Sequence, residues 1–89
     1  MIVLHSDLFC DDFVRIRDRN IIRRANSAID KLETARSLRE VANIKSMQGH
    51  LGFYRIRFGD FRIGFQLIDE TTIVLLAIEH RSVFYRDFP

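Results

Sequence analysis

The sequence predicts an α+β domain with elements in the order β-α-α-β-β-β: a curved, mainly antiparallel sheet with a helical hairpin packed on one face. Three observations carry this. The run Phe53 to Gln66 (FYRIRFGDFRIGFQ) alternates with period two on both sides of Gly59-Asp60, which marks a β-hairpin. Between Ile21 and Ala35, the residues Ile22, Ala25, Ile29 and Leu32 recur at helical spacing. Thr72 to His80 is a strand apolar on both faces, which suits a central rather than an edge position. At 89 residues, the chain is expected to form a single domain over 1–89 with a thin core.

Taken in order, Met1 to His5 is a short apolar strand. Ser6 or Asp7 can cap a helix after it, because either side chain can accept from the free N–H groups of the first turn. Asp11 and Asp12 fall in its early turns, and Phe9, Phe13 and Ile16 form its apolar stripe. Asp18-Arg19-Asn20 breaks the pattern, and Asn20 is the expected cap of the second helix. Cys10 lies on the first helix as a small apolar residue. Ser37 with Glu40 three residues on has the spacing of a capping box for a short helical turn. Ala42 to Met47 is expected to be extended, and Gln48 to Gly52 a loop. Asp69-Glu70-Thr71 is a turn, and Arg81 to Pro89 is a polar and aromatic tail.

The hairpin holds the candidate site. Glycine in the first central position of a two-residue turn suits type II′ and fixes the register. Phe58 then faces Phe61, Arg57 faces Arg62, Ile56 faces Ile63, Arg55 faces Gly64 and Tyr54 faces Phe65. One face reads Tyr54, Ile56, Phe58, Phe61, Ile63, Phe65 and is a core surface. The other carries Arg55, Arg57 and Arg62 and is expected to be the uncovered one. Two guanidinium groups directly opposite each other cost about 0.2–1 kcal/mol. A local rule broken without compensation points to a functional site, here one that takes an anion. His80, Arg81 and Tyr85 at the end of the last strand are expected near the same open face.

Composition narrows the chemistry. The net charge is +2, but 12 of the 14 basic residues are Arg, whose planar fork suits phosphate. One cysteine gives no disulfide framework and fits a reducing, cytoplasmic setting. No HxH, HExxH or Cys/His cluster, P-loop or GxGxxG is present, so neither a metal nor a cofactor is expected. A signal peptide and a membrane span are likewise not expected.

The run Ile44-Lys45-Ser46-Met47-Gln48-Gly49, then Tyr54-Arg55-Ile56-Arg57, Gly59-Asp60-Phe61-Arg62-Ile63 and His80-Arg81 with Tyr85, resembles the RelE/ParE superfamily of type II toxin–antitoxin toxins, and its RelE-type branch in particular. The resemblance implies an endoribonuclease that cleaves mRNA on the ribosome, inhibits translation and is held inactive by a cognate antitoxin. It implies RNA-binding roles for Lys45, Arg55 and Arg57 and catalytic roles for Arg62, Arg81, Tyr85 and His80. Its alternatives are a ParE-like inhibitor of DNA gyrase and an inactive RNA-binding module. Cleavage by the RNA's own 2′-hydroxyl needs a base, charge stabilisation on phosphorus and an acid for the leaving oxygen. Tyr85 can be the base only if arginines lower its pKa from about 10, whereas His80 needs no such tuning. Regular alternation to the end of the last strand sends His80 and Arg81 to opposite faces. Arg81 is the better claimant to the arginine face, so Tyr85 is the preferred base and His80 a supporting residue.

Overall fold

A computed structural model describes residues 1–89. Five strands form one sheet in the order β1-β5-β4-β3-β2: β1 (Ile2–His5), β2 (Ile44–Ser46), β3 (Phe53–Phe58), β4 (Phe61–Asp69) and β5 (Thr72–His80). β1 runs parallel to β5 and every other pairing is antiparallel. The hairpin register is as the Gly-Asp turn requires, with Arg57 opposite Arg62 and Ile56 opposite Ile63. Gly59 has φ +56° and Asp60 is not in the left-handed region, which is the backbone of a II′ turn. β2 adds a short edge strand within the stretch expected to be extended.

Two helices, α1 (Asp7–Val14) and α2 (Arg19–Thr34), lie on one face. Ser6 caps α1 by accepting from Phe9 N at 3.1 Å. α2 begins two residues earlier than an Asn20 cap predicts. The Asp18 carboxylate accepts from both Asn20 N (2.8 Å) and Ile21 N (3.3 Å), and a charged acceptor at a helix N-terminus also gains from the macrodipole. Asn20 instead accepts from the Arg23 guanidinium. Ser37 makes no capping bond to the short 3-10 turn at Leu38–Glu40; Glu40 reaches back to Arg36 N instead. The chain's α-amino group donates to Leu32, Glu33 and Ala35 carbonyls, tying β1 to the end of α2.

The main core lies between these helices and the sheet. Phe9 from α1, with Ala25, Ala28, Ile29 and Leu32 from α2, meets Ile56, Ile63, Phe65, Ile73, Leu75 and Ile78. Tyr54, Phe58 and Phe61 pack against its margin, so the apolar hairpin face is buried as expected.

The opposite face is not bare. A third helix, α3 (Arg81–Asp87), follows β5 and folds back over it. Phe84 and Phe88 stack with ring centroids 5.1 Å apart and form a second small core with Ala77, flanked by Met47, Phe53 and Leu76. The expectation of an uncovered arginine face is therefore corrected: α3 covers part of it. A bulge makes this possible. The register slips between Gly64/Ala77 and Phe65/Leu75, leaving Leu76 as the extra residue on β5.

Candidate active site

Three side chains meet where α3 crosses the hairpin. The Tyr85 hydroxyl accepts from Arg55 Nε at 3.1 Å and from Arg62 Nε at 3.3 Å. Arg62 is 9% exposed, fixed by Nη1 donating to Gly59 O (3.0 Å) and Phe61 O (2.9 Å). Sequence alternation alone puts this arginine in solvent; α3 and its phenol put it under cover. Its guanidinium has no carboxylate within ion-pair distance, since the ion pairs present are Arg81–Asp60 and Arg86–Asp87. A buried cation held only by carbonyls and a phenol is short of negative charge, and an arriving anion would supply it.

The phenol is tuned by this setting. Burial alone would raise its pKa. The hydrogen bond from Arg62 and the charge and hydrogen bond of Arg55 outweigh that, leaving it below the ordinary tyrosine value. Two N–H donors occupy the lone pairs of the oxygen, so its own proton is directed away from the arginines.

Lys45 stands opposite Arg55 across the β2–β3 ladder and, with Ser46, Gln48, Arg55 and Tyr85, lines a recess of about 320 Å³. Asn43, just ahead of β2, holds two of the arginines. Its carbonyl accepts from Arg55 Nη1 at 2.8 Å and its side-chain oxygen from Arg57 Nη2 at 3.2 Å. Asn43 holds φ +69°, a left-handed conformation that Asn tolerates better than most residues. Its only visible signal in the sequence is an Asn just ahead of a short extended run.

The other candidates are placed differently. His80 shares a face with Phe61, Ile78 and Leu75, because the bulge at Leu76 reverses the alternation expected of an unbroken strand. Its ring packs edge-on to Phe61 at 5.6 Å, beside Ile21 and Arg24 on the helix side of the sheet. Its Nδ1 accepts from Ser82 N at 3.1 Å and so caps α3. His80 is thus not brought to the arginine face. Arg81 opens α3, where its backbone N donates to Asp60 O at 2.7 Å and its exposed side chain lies 3.7 Å from Asp60 Oδ1. It sits one helical turn before Tyr85 on the same side of α3. Arg57 hydrogen-bonds neither Arg62 nor Tyr85; its side chain donates to Asn43.

No helix is long and apolar enough to cross a membrane. The family model described as the ParE toxin of the type II toxin–antitoxin system, parDE, matches residues 3–84. Toxin RelE3 of Methanocaldococcus jannaschii is 31% identical over 90 residues, covering 100% of each chain. The RelB-RelE antitoxin-toxin complex from Methanococcus jannaschii contains a chain that superposes with TM-score 0.78 at 29% identity, covering 97% of this chain and 99% of that one. A chain of the archaeal RelE-RelB complex from Pyrococcus horikoshii OT3 has the same fold, with TM-score 0.70, 22% identity and 90% and 93% coverage. With a family match over residues 3–84 and a full-length relative at 31% identity, the chain belongs to the RelE/ParE family of type II toxin–antitoxin toxins.

Proposed function

We propose that this toxin is a metal-independent endoribonuclease that cleaves messenger RNA on the ribosome, with the RNA's own 2′-hydroxyl as nucleophile. The observation that carries the reading is the phenol of Tyr85 held between two arginines that lack acidic partners. Tyr85 as phenolate takes the 2′-hydroxyl proton. The 2′-oxygen attacks the adjacent phosphorus and the bond to the 5′-oxygen breaks, giving a 2′,3′-cyclic phosphate and a 5′-hydroxyl end. Arg62 stabilises the charge that builds on phosphorus. Lys45, Arg55 and Arg57 hold phosphates. Arg81, one turn from Tyr85, leaves its exposed contact with Asp60 to donate a hydrogen bond to the departing oxygen, which is protonated from solvent. His80 supports the reaction by capping α3.

The partner follows from the same surface. A cognate antitoxin would set acidic residues of a mostly helical segment over Arg55, Arg57 and Arg62; the RelB-RelE complexes among the structural relatives support such an assembly. Gyrase inhibition by protein contact, the ParE-type alternative, has no use for a tuned phenol.

Single-turnover cleavage on programmed ribosomes is the test. Tyr85→Phe should abolish cleavage and His80→Gln should keep most of it. A Tyr85→Phe protein cutting at the parent rate would overturn the proposal, as would induced DNA damage without any RNA cleavage.

A further inference from the structure

Beyond the Tyr85 site, a groove of about 400 Å³ runs between α2 and the end of β3 that extends past β2. Arg23, Arg24, Ser27 and Lys31 line it from α2, with Arg57 and Asn43 on the other side. No carboxylate lines it, and none of its four cations is within ion-pair distance of an acid. The cations of α2 span about 12 Å along the helix at ~1.5 Å per residue. Ser27 and Ala28 between them are small, which leaves the floor open. From the sequence these residues are only the polar side of an amphipathic helix; what gives them a shared purpose is the fold, which sets Arg57 opposite them.

Asn43 joins this groove to the Tyr85 site. Its carbonyl holds Arg55, which in turn holds Tyr85, while its side-chain oxygen holds Arg57, which lines the groove. Arg55 and Arg57 are successive residues on one face of β3, about 7 Å apart. The line of cations thus passes from Arg62 and Arg55 over the sheet edge to Arg57 and on to α2 without an acid interrupting it. A single strand of nucleic acid presents phosphates in that kind of continuous order.

We infer that the groove between α2 and β3 is a second phosphate-binding site, which holds the backbone of the same RNA strand that Tyr85 cleaves. The inference rests on the Tyr85-centred reading for the identity of the strand. It makes the groove a determinant of affinity and strand length rather than of the chemical step.

The full chain is titrated with 2′-O-methyl RNA, which lacks the attacking hydroxyl, in two lengths. One of about four nucleotides covers the Tyr85 site alone, and one of about twelve also crosses the sheet edge. The variant Arg23→Ala/Lys31→Ala keeps good helix formers at exposed positions, and its melting temperature is the folding control. The longer RNA should bind about tenfold more weakly to it, and its log–log salt slope should shrink by about 1.4, two phosphate contacts at ~0.7 each. The shorter RNA should bind as to the parent. Unchanged binding of the longer RNA overturns the inference, as does an equal loss for both lengths. Binding of polyglutamate that the double variant loses while keeping the longer RNA also overturns it, in favour of an acidic protein segment. Arg55→Ala should weaken both lengths. Should Arg55→Ala change neither while the groove variant still discriminates by length, the Tyr85-centred reading fails and the groove stands.

Discussion

The ring of Phe88 occupies the space that a side chain on Gly64 would take. A Cβ there would lie 2.7 Å from three carbons of that ring, which is itself 6% exposed and hemmed in by Phe84 and Phe53. α3 has seven residues, too few to be stable as an isolated helix. It stays in place because Phe84 and Phe88 dock on the notch that Gly64 and Ala77 leave in the sheet. Tyr85 lies between those two anchors, so the notch positions the phenol.

Gly64→Ala should therefore dislodge α3 without touching a site residue. Overpacking of this kind costs about 1–3 kcal/mol, enough to release a short helix. The expected outcome is faster amide exchange at Phe88, whose N–H bonds Phe84 O at 2.8 Å, together with at least a tenfold loss of cleavage. Unchanged protection with parental activity would show that the ring moves aside freely.

Arg62→Ala should lose stability as well as cleavage. Truncation removes the Arg62 donor from the Gly59 and Phe61 carbonyls and leaves the Tyr85 hydroxyl with Arg55 alone. Lost bonds to a charged group of this sort cost about 1–3 kcal/mol. Each kcal/mol lowers the melting temperature of a domain this size by about 4–8 °C. Arg62→Lys should recover part of the stability but not the forked geometry, so cleavage should stay low. A melting temperature equal to the parent's in Arg62→Ala would mean that the arginine is held far less tightly than its contacts imply.

Arg62 also marks the limit of what the sequence discloses. Its partner across the hairpin, its face and its neighbours on β3 all follow from one two-residue turn, because a II′ turn leaves no freedom of register. Its burial does not follow. That depends on α3, which depends on Leu76 bulging out of β5 and on Phe88 finding Gly64. The same bulge gives His80 and Ile78 the face of Leu75, where an unbroken alternation gives them that of Val74 and Leu76. The cap of α2 illustrates a local ambiguity: Asp18 and Asn20 are both good caps, and the carboxylate wins by serving two N–H groups at once. Asn43 was hidden because its value lies in contacts with Arg55 and Arg57, more than ten residues away.

Glu79 should make the chain less stable as pH rises through neutrality. Its carboxyl is pushed up to about 7 from 4.5 by burial, by a hydrogen bond with Asp87 and by the charges of Asp87 and Asp12, against a smaller opposing effect of Arg86. A folded-state pKa above the ordinary value means the folded form holds the proton more tightly. The resulting stability is complete below about pH 4.5 and is lost as pH rises through about 7. Glu79→Gln cannot ionise and should melt higher than the parent at about pH 8.5 but not at about pH 4. A parent and variant whose melting curves stay parallel across that range would remove Glu79 as the cause.

The pH dependence of cleavage should report the phenol of Tyr85 and its two arginines. A base must be deprotonated to act, so activity should rise with pH until the phenolate dominates and then level off. Because Arg62 and Arg55 hold the phenol below its ordinary value, the midpoint of that rise should lie below the pKa of about 10 of a free tyrosine. Arg55→Ala removes one donor and one nearby charge, so the rising limb should move to higher pH. Adding base should then restore part of the lost rate, which simple loss of RNA binding would not allow. His80→Gln should leave the limb where it is, since the His80 ring lies on the helix side of the sheet against Phe61. Single-turnover rates at saturating RNA, measured from about pH 5.5 to about pH 10, separate these outcomes. A limb that moves in His80→Gln and stays fixed in Arg55→Ala would transfer the role of base from Tyr85 to His80.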